Sequence, residues 1–368
     1  MSMNIVVCGG GNMGHAIAGN LSLVENTKIS ILTRNPLKWS KNLTIQNPDG
    51  SICQSKELYV TSEAKEVIPN ANIIIITVPN FGIKEVIEQI APFYNSETWI
   101  GSVQCAGGFF WTLHNKLKNV KRTFGFQRVP YICRTIEYGK SVHITGNKNS
   151  IDVYYNHDIK NNNFKETLET LFNLNIVSCK HYLEVGISNS NPILHPSRLY
   201  SMFKNWNENK YFERELFFYE DWDDESSDIL LACDNELSNI IKNIPIDLSH
   251  IKSIKKHYEV NNAKELTQKL KSIEAFKGIK TSMIKLDKGY IPDIKNRYFT
   301  EDVPYGLLLI KGLALLTNTD VPNIDRLIFW AQNLLKMELL VDDKTLGKDS
   351  YDYPLPQSFN ITNINQLV

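Results

Sequence analysis

The residues of this 368-residue chain that could do chemistry fall in three short stretches. The first is Val7-Cys8-Gly9-Gly10-Gly11-Asn12-Met13-Gly14-His15-Ala16, between an apolar run from Asn4 to Val7 and a helix-like run from Ala16 to Leu23. A strand, a tight turn and a helix in that order suit a dinucleotide. Gly9 permits the sharp turn, Gly11 lets the backbone approach a pyrophosphate, and Gly14 lets the helix pack close to the strand. The helix start, at Asn12 and Met13, offers unpaired N–H groups and a positive dipole end to phosphates. A glycine-rich turn without a ligand is the plainer alternative.

The second stretch is Ser188-Asn189-Ser190-Asn191-Pro192-Ile193-Leu194-His195-Pro196-Ser197-Arg198. It is polar and broken by two prolines, so it presents groups at a junction instead of building a core. His195 suits proton exchange near neutral pH; a satisfied structural histidine is the alternative. The third is Arg297-Tyr298-Phe299-Thr300-Glu301-Asp302-Val303-Pro304-Tyr305-Gly306-Leu307, which opens an apolar helix with Pro304 at its first position. Asp302 or Glu301 could be a helix N-terminal charge, and Arg297 could be a fork for a substrate carboxylate.

These stretches need elements to hold them. A second strand is expected over 28–33, ending at Thr33 and Arg34. An NAD site usually has a carboxylate there for the ribose 2′-hydroxyl. Arg34 stands near that place, with Lys38 four residues on, and a cation attracts a 2′-phosphate, so NADP is favoured over NAD. A solvated Arg34 lying on adenine is the alternative. Residues 43–59 read as a peripheral hairpin around Asn47-Pro48-Asp49-Gly50, and Ser62 as the cap of a short helix through Val67. Ala71 to Val78 reads as a strand buried on both faces. The loop after it, with Val78 and Pro79, belongs at the carboxyl edge of the sheet beside the cofactor. Strands follow over 98–103, 123–126 and 141–145, with the loop at Gln104 on the same edge, and Asn161-Asn162-Asn163 reads as a loop. This alternation argues for an open α/β sheet in a domain spanning 1–180.

Residues 181–368 read as a mostly α-helical domain. Helices are expected over 198–206, 223–244, 263–273, 304–316 and 323–336, followed by a loosely packed tail from Tyr351 to Val368. The chain has 40 Lys plus Arg against 40 Asp plus Glu, so no basic excess points to nucleic acid or an anionic membrane surface. Its six cysteines (Cys8, Cys53, Cys105, Cys133, Cys179 and Cys233) form no C-x-x-C pair, and neither a disulfide framework nor a metal site is expected. With no signal segment and no apolar run of ~18 residues, a cytoplasmic protein is expected.

The glycine turn, then Asn191-Pro-x-x-His195-Pro, then Arg297-Tyr-x-x-Glu-Asp302-x-Pro-Tyr-Gly-Leu together resemble the opine dehydrogenases of the octopine and nopaline type, over nearly the whole chain. The resemblance implies a Rossmann domain joined to a helical domain, with catalysis in the cleft between them. It implies condensation of an amino acid with a 2-keto acid and reduction of the imine by NAD(P)H. By this resemblance His195 exchanges the proton, Asp302 orients it, and Arg297 grips a substrate carboxylate, with Arg134 and Arg198 as further cations. Gln104 and Cys133 match amino-acid contacts more loosely, and Asn191 would position substrate or nicotinamide. A helical second domain often hosts a dimer contact, so a homodimer is a further expectation. Two alternatives remain: a 2-keto acid or 2-hydroxy acid oxidoreductase on the same scaffold, and a non-catalytic NADP-binding sensor. Ketopantoate reductase and glycerol-phosphate dehydrogenase share this architecture but depend on a catalytic lysine, and here that weight falls on His195.

Overall fold

The computed structural model describes residues 2–157 and 163–367. Asn161 and Asn162 of the expected loop, and Val368 of the tail, lie outside the described residues. Two compact units divide the chain, Met1–Gly186 and Ile187–Val368. The boundary lies six residues beyond the expected 180/181. A short helix, Tyr182–Ile187, follows position 181, and its Val185 joins the apolar core of the first unit.

The first unit holds twelve strands among the described residues: β1 (Met3–Cys8), β2 (Thr27–Leu32), β3 (Thr44–Gln46), β4 (Ile52–Gln54), β5 (Tyr59–Thr61), β6 (Ile73–Ile76), β7 (Trp99–Ser102), β8 (Thr123–Phe126), β9 (Tyr131–Glu137), β10 (Ser141–Asn147), β11 (Ser150–Tyr155) and β12 (Asn175–Cys179). Its helices are α1 (Asn12–Leu23), α2 (Ala64–Val67), α3 (Asn80–Ile90), α4 (Phe109–Lys116), α5 (Phe164–Phe172) and α6 (Tyr182–Ile187). The large sheet has the order β12-β11-β8-β7-β6-β1-β2-β5. It is parallel except where β11 runs against β8. β1 shows why both faces are covered. Ile5 and Val7 point into one apolar core and Val6 and Cys8 into the other, the period-2 alternation of a strand between two layers. β1 pairs with β2 on one side and β6 on the other, so the connections diverge there. A crevice opens at the carboxyl ends of strands at such a switch point.

A second sheet, β4-β3-β10-β9, contradicts two expectations. The strand expected over 141–145 is β10, and it belongs to this small sheet. The hairpin expected at the periphery is β3–β4, and its inner face is core. Ile45 is fully buried, and a Cβ on Gly19 of α1 would lie 2.9 Å from Ile45 Cδ1. α2 also begins later than expected, with Glu63 and not Ser62 at its N-cap.

The second unit contains α7 (Asn191–Phe203), α8 (Asp224–Asn243), α9 (Ile254–Tyr258), α10 (Ala263–Ser272), α11 (Arg297–Thr300), a π-helical segment Val303–Leu307, α12 (Leu308–Leu316) and α13 (Pro322–Leu335). A hairpin of β13 (Met283–Leu286) and β14 (Gly289–Pro292) interrupts the helices. α7 corrects the expected helix over 198–206: it starts seven residues earlier and includes both prolines. Pro192 lies in the first turn, where no N–H is needed, and Pro196 is tolerated inside the helix. The tail is also packed more firmly than expected. Leu355 is fully buried, and Gln357 Nε2 donates to the Gly312 carbonyl at 2.8 Å. No helix of the described residues is long and apolar enough to cross a membrane.

Arg198 anchors α7. Its side chain is buried and donates to the Phe218 and Asp221 carbonyls, Asp223 Oδ2 and Ser226 Oγ. Arg198→Met leaves those acceptors and the Asp223 charge without their cation. A loss of ~3–5 kcal/mol is expected, read as a lowered urea midpoint at unchanged slope.

Candidate active site

The glycine turn has the shape that a pyrophosphate requires. Gly9 follows β1 with φ +124°, a conformation that side chains rarely adopt. A Cβ on Gly14 would fall 1.9 Å from the Gly9 carbonyl oxygen, so α1 can approach β1 this closely only with glycine there. Among the described residues nothing lies within 4 Å of a Cβ built on Gly11, which leaves that backbone open. Among the described residues no side chain caps α1, so its first N–H groups face outward with the helix dipole behind them. Thr77 Oγ1 donates to the Cys8 carbonyl at 3.1 Å and sets Val78 against Gly9; Pro79 then caps α3. Thr33 is buried at the end of β2, and Arg34 beside it is exposed. These residues fit a dinucleotide. The Asn12 side chain is committed elsewhere: its Oδ1 accepts the Thr135 N–H at 2.9 Å, leaving its backbone N–H for a phosphate.

In the helical unit, His195 Nδ1 and Asp302 Oδ2 are 2.7 Å apart. The carboxylate accepts a hydrogen bond from Nδ1–H, so Nε2 is the ring atom left for exchange. Among the described residues it has no partner. Tyr298 stacks on the imidazole with centroids 4.0 Å apart, and Phe218 meets it edge-on at 5.4 Å. Both side chains of the pair are largely buried. Asp302 owes its place to a local irregularity. Its carbonyl accepts the Leu307 N–H, an i→i+5 bond that opens the π segment around Pro304. Proline lacks the N–H for a regular turn, and single π turns are frequent at functional positions. Gly306 then meets α7: a Cβ there would lie 2.6 Å from Pro192 Cβ. This contact sets the helix of His195 against the segment of Asp302.

The other expected residues divide. Arg297 Nε donates to Glu301 Oε2 at 2.7 Å, while the Arg297 side chain remains two-thirds exposed. Asn191 opens α7 one turn before His195. Gln104 is exposed in the left-handed region, φ +63°, past the carboxyl end of β7. Cys133 is buried, and its thiol donates to the Asn12 carbonyl. Burial pushes that thiol up to about 11, so it is a donor and not a thiolate. Arg198 cannot serve as a substrate cation, because its guanidinium is consumed by the contacts described above. Arg134 is exposed on β9 and donates to the Cys133 carbonyl.

The family model described as NAD/NADP octopine/nopaline dehydrogenase, alpha-helical domain, matches residues 178–335. That for ketopantoate reductase PanE/ApbA matches residues 5–106. The octopine dehydrogenase of Mizuhopecten yessoensis is 27% identical over 405 residues, covering 100% of this chain and 99% of its own. Over its whole length the chain is similar to opine dehydrogenases. Solved octopine dehydrogenase structures, one with NADH and L-arginine and one with NADH and pyruvate, are each 26% identical to it. They superpose with TM-scores of 0.90 and 0.89, covering 100% of this chain and 98% of theirs.

Within this fold, sequence reasoning missed the rings around His195 and a second histidine. His15 is fully buried in α1; its Nε2 accepts the Gly139 N–H at 2.7 Å, so Nδ1 carries the proton and meets the Gly11 carbonyl at 2.9 Å. Its place directly after Gly14 was the only available signal. Burial lowers its pKa below 6.5, against the opposing pull of the Gly11 carbonyl. The unfolded chain therefore binds this proton more readily. The stability that neutral His15 contributes is complete above pH 6.5 and is lost as pH falls through the folded value. His15→Gln is expected to lose less stability than the parent between pH 7.5 and 5 in urea titrations. Gly306→Ala is expected to cost ~1–3 kcal/mol through overpacking against Pro192. It should also lower turnover, because the His195–Asp302 spacing shifts; a variant with parental stability and rate would contradict this account.

Proposed function

We propose that this chain joins the amine of an amino acid to the carbonyl of a 2-keto acid and reduces the resulting imine to a secondary amine. The observation that carries this reading is the His195–Asp302 pair, buried under two aromatic rings with one ring nitrogen left for exchange. The octopine dehydrogenases bound to NADH with L-arginine or with pyruvate support the two substrate classes. Condensation releases one water, and the dihydronicotinamide supplies the hydride when bound.

His195 Nε2 first takes a proton from the substrate ammonium, so that a neutral amine can attack. It later returns a proton to the nitrogen that receives the electron pair during reduction. Asp302 fixes the tautomer and stabilises the ring cation between those moments. Tyr298 and Phe218 keep water from the ring. Arg297 turns its Nη atoms to a substrate carboxylate while Glu301 holds Nε. In this reading Gln104 and Asn191 are further substrate contacts, while Cys133 stays bonded to the Asn12 carbonyl. Gly9, Gly11, Asn12, Met13 and Gly14 hold the pyrophosphate through the backbone. Val78 and Pro79 flank it, and Thr33 and Arg34 meet the adenosine ribose. Arg34, in the place of a ribose-binding carboxylate, favours NADP over NAD.

The test is NADPH and NADH oxidation with amino acid and 2-keto acid pairs, followed by mass measurement of the product. Oxidation is expected only with both substrates, the mass being their sum less one oxygen. His195→Ala and Asp302→Asn should each lower kcat on the order of 10²–10⁴-fold. Full-rate oxidation with keto acid alone, forming the hydroxy acid, would overturn the reading.

A further inference from the structure

A cluster that the proposed proton transfers do not use closes over Gly10. A Cβ built on Gly10 would lie 2.7 Å from Thr33 Oγ1, 2.7 Å from the Tyr138 hydroxyl and 3.2 Å from Trp39 Cζ2. The two hydroxyls are 3.3 Å apart. Thr33 directly follows β2, the strand whose end meets the adenosine ribose in dinucleotide folds. Tyr138 comes from the turn between β9 and β10, so the small inserted sheet delivers a hydroxyl to this corner. The Trp39 indole N–H is buried beside it with no acceptor among the described residues, a defect that native folds rarely keep without a reason. Ribose and phosphate bring acceptor oxygens to the same corner.

One side chain holds this arrangement. His15 bonds the Gly11 carbonyl of the pyrophosphate turn through Nδ1 and the Gly139 N–H of the β9–β10 turn through Nε2. Its ring stacks on Trp39 with centroids 4.1 Å apart and meets Tyr138 edge-on at 5.3 Å. We infer that Thr33 and Tyr138 form a specificity site for the 2′ position of the cofactor's adenosine ribose, and that His15 is the positioning residue that keeps Tyr138 in it. The inference rests on the dinucleotide-dependent reaction proposed above. A hydroxyl pair can donate to and accept from a ribose 2′-hydroxyl, and can donate to a 2′-phosphate. The pair therefore serves either cofactor, and exposed Arg34 adds the charge that only the phosphate uses.

The test titrates the full chain with NADH, 2′-deoxy-NADH and NADPH, following nicotinamide fluorescence, with melting temperatures alongside. The parent chain should bind NADH at least about fivefold more tightly than 2′-deoxy-NADH, the value of roughly one hydrogen bond. Tyr138→Phe, which removes only the hydroxyl, should bring that ratio towards one at a similar melting temperature. His15→Ala should lose both the ratio and NADPH affinity. His15→Gln, whose amide can accept from Gly139 and donate to Gly11, should recover part of each. A parental ratio in Tyr138→Phe would overturn the specificity site and leave the proposed reaction standing. His15→Ala with lowered melting temperature but parental discrimination would overturn the positioning role. A parent chain that binds no dinucleotide would overturn the reaction and the inference together.

Discussion

The helical unit depends on one short contact between residues 107 positions apart, the 2.7 Å bond between His195 and Asp302. An imidazole held by a carboxylate can exchange protons through its other nitrogen usefully only if the ring keeps one tautomer and one orientation. Two segments must then meet within a few tenths of an ångström. α7 is anchored by Arg198 to the 218–226 stretch, and the π segment is anchored to α7 by glycine against proline at Gly306 and Pro192. Packed interiors transmit such displacements instead of absorbing them. The chemistry of the pair is therefore held by apolar and steric contacts that carry no charge themselves.

The first unit solves a different problem. A pyrophosphate needs N–H groups and a positive dipole without a side chain in the way. α1 supplies this by starting without a side-chain cap and by passing close over Gly9. The uncapped end is then secured from the side: Asn12 holds β9 through Thr135, and His15 holds the β9–β10 turn through Gly139. The small sheet thus braces the dinucleotide turn. Its apolar inner residues, Ile45, Val142 and Ile144, belong to the same core as α1.

Charge is placed with equal economy. The two guanidinium groups near the pair's elements have opposite fates. Arg198 is buried and bonded to two backbone carbonyls as well as to Asp223, which makes it structural. Arg297 is mostly exposed and tethered at Nε by a largely buried Glu301, which orients its fork without occupying all of it. Cys133, held up by burial, stays a neutral donor to the backbone.

Much was legible in the sequence because it is locally encoded. The glycine spacing states the turn, the apolar run at 73–76 states a strand covered on both faces, and the apolar stripes at 224–243 and 322–335 state helices. The motifs around His195 and Asp302 singled out two side chains that the structure brings to 2.7 Å. The sequence could not show that β10 leaves the main sheet, since an alternating strand reads the same in either. Nor could it show that Pro192 and Pro196 lie within a helix, that the tail packs on α12, or that Arg198 is spent on carbonyls. Each of these depends on which distant surface a segment meets. Local patterns determined the elements and the reactive groups; tertiary structure decided which groups remain free to react, because burial and hydrogen-bond partners come from residues far away in the chain.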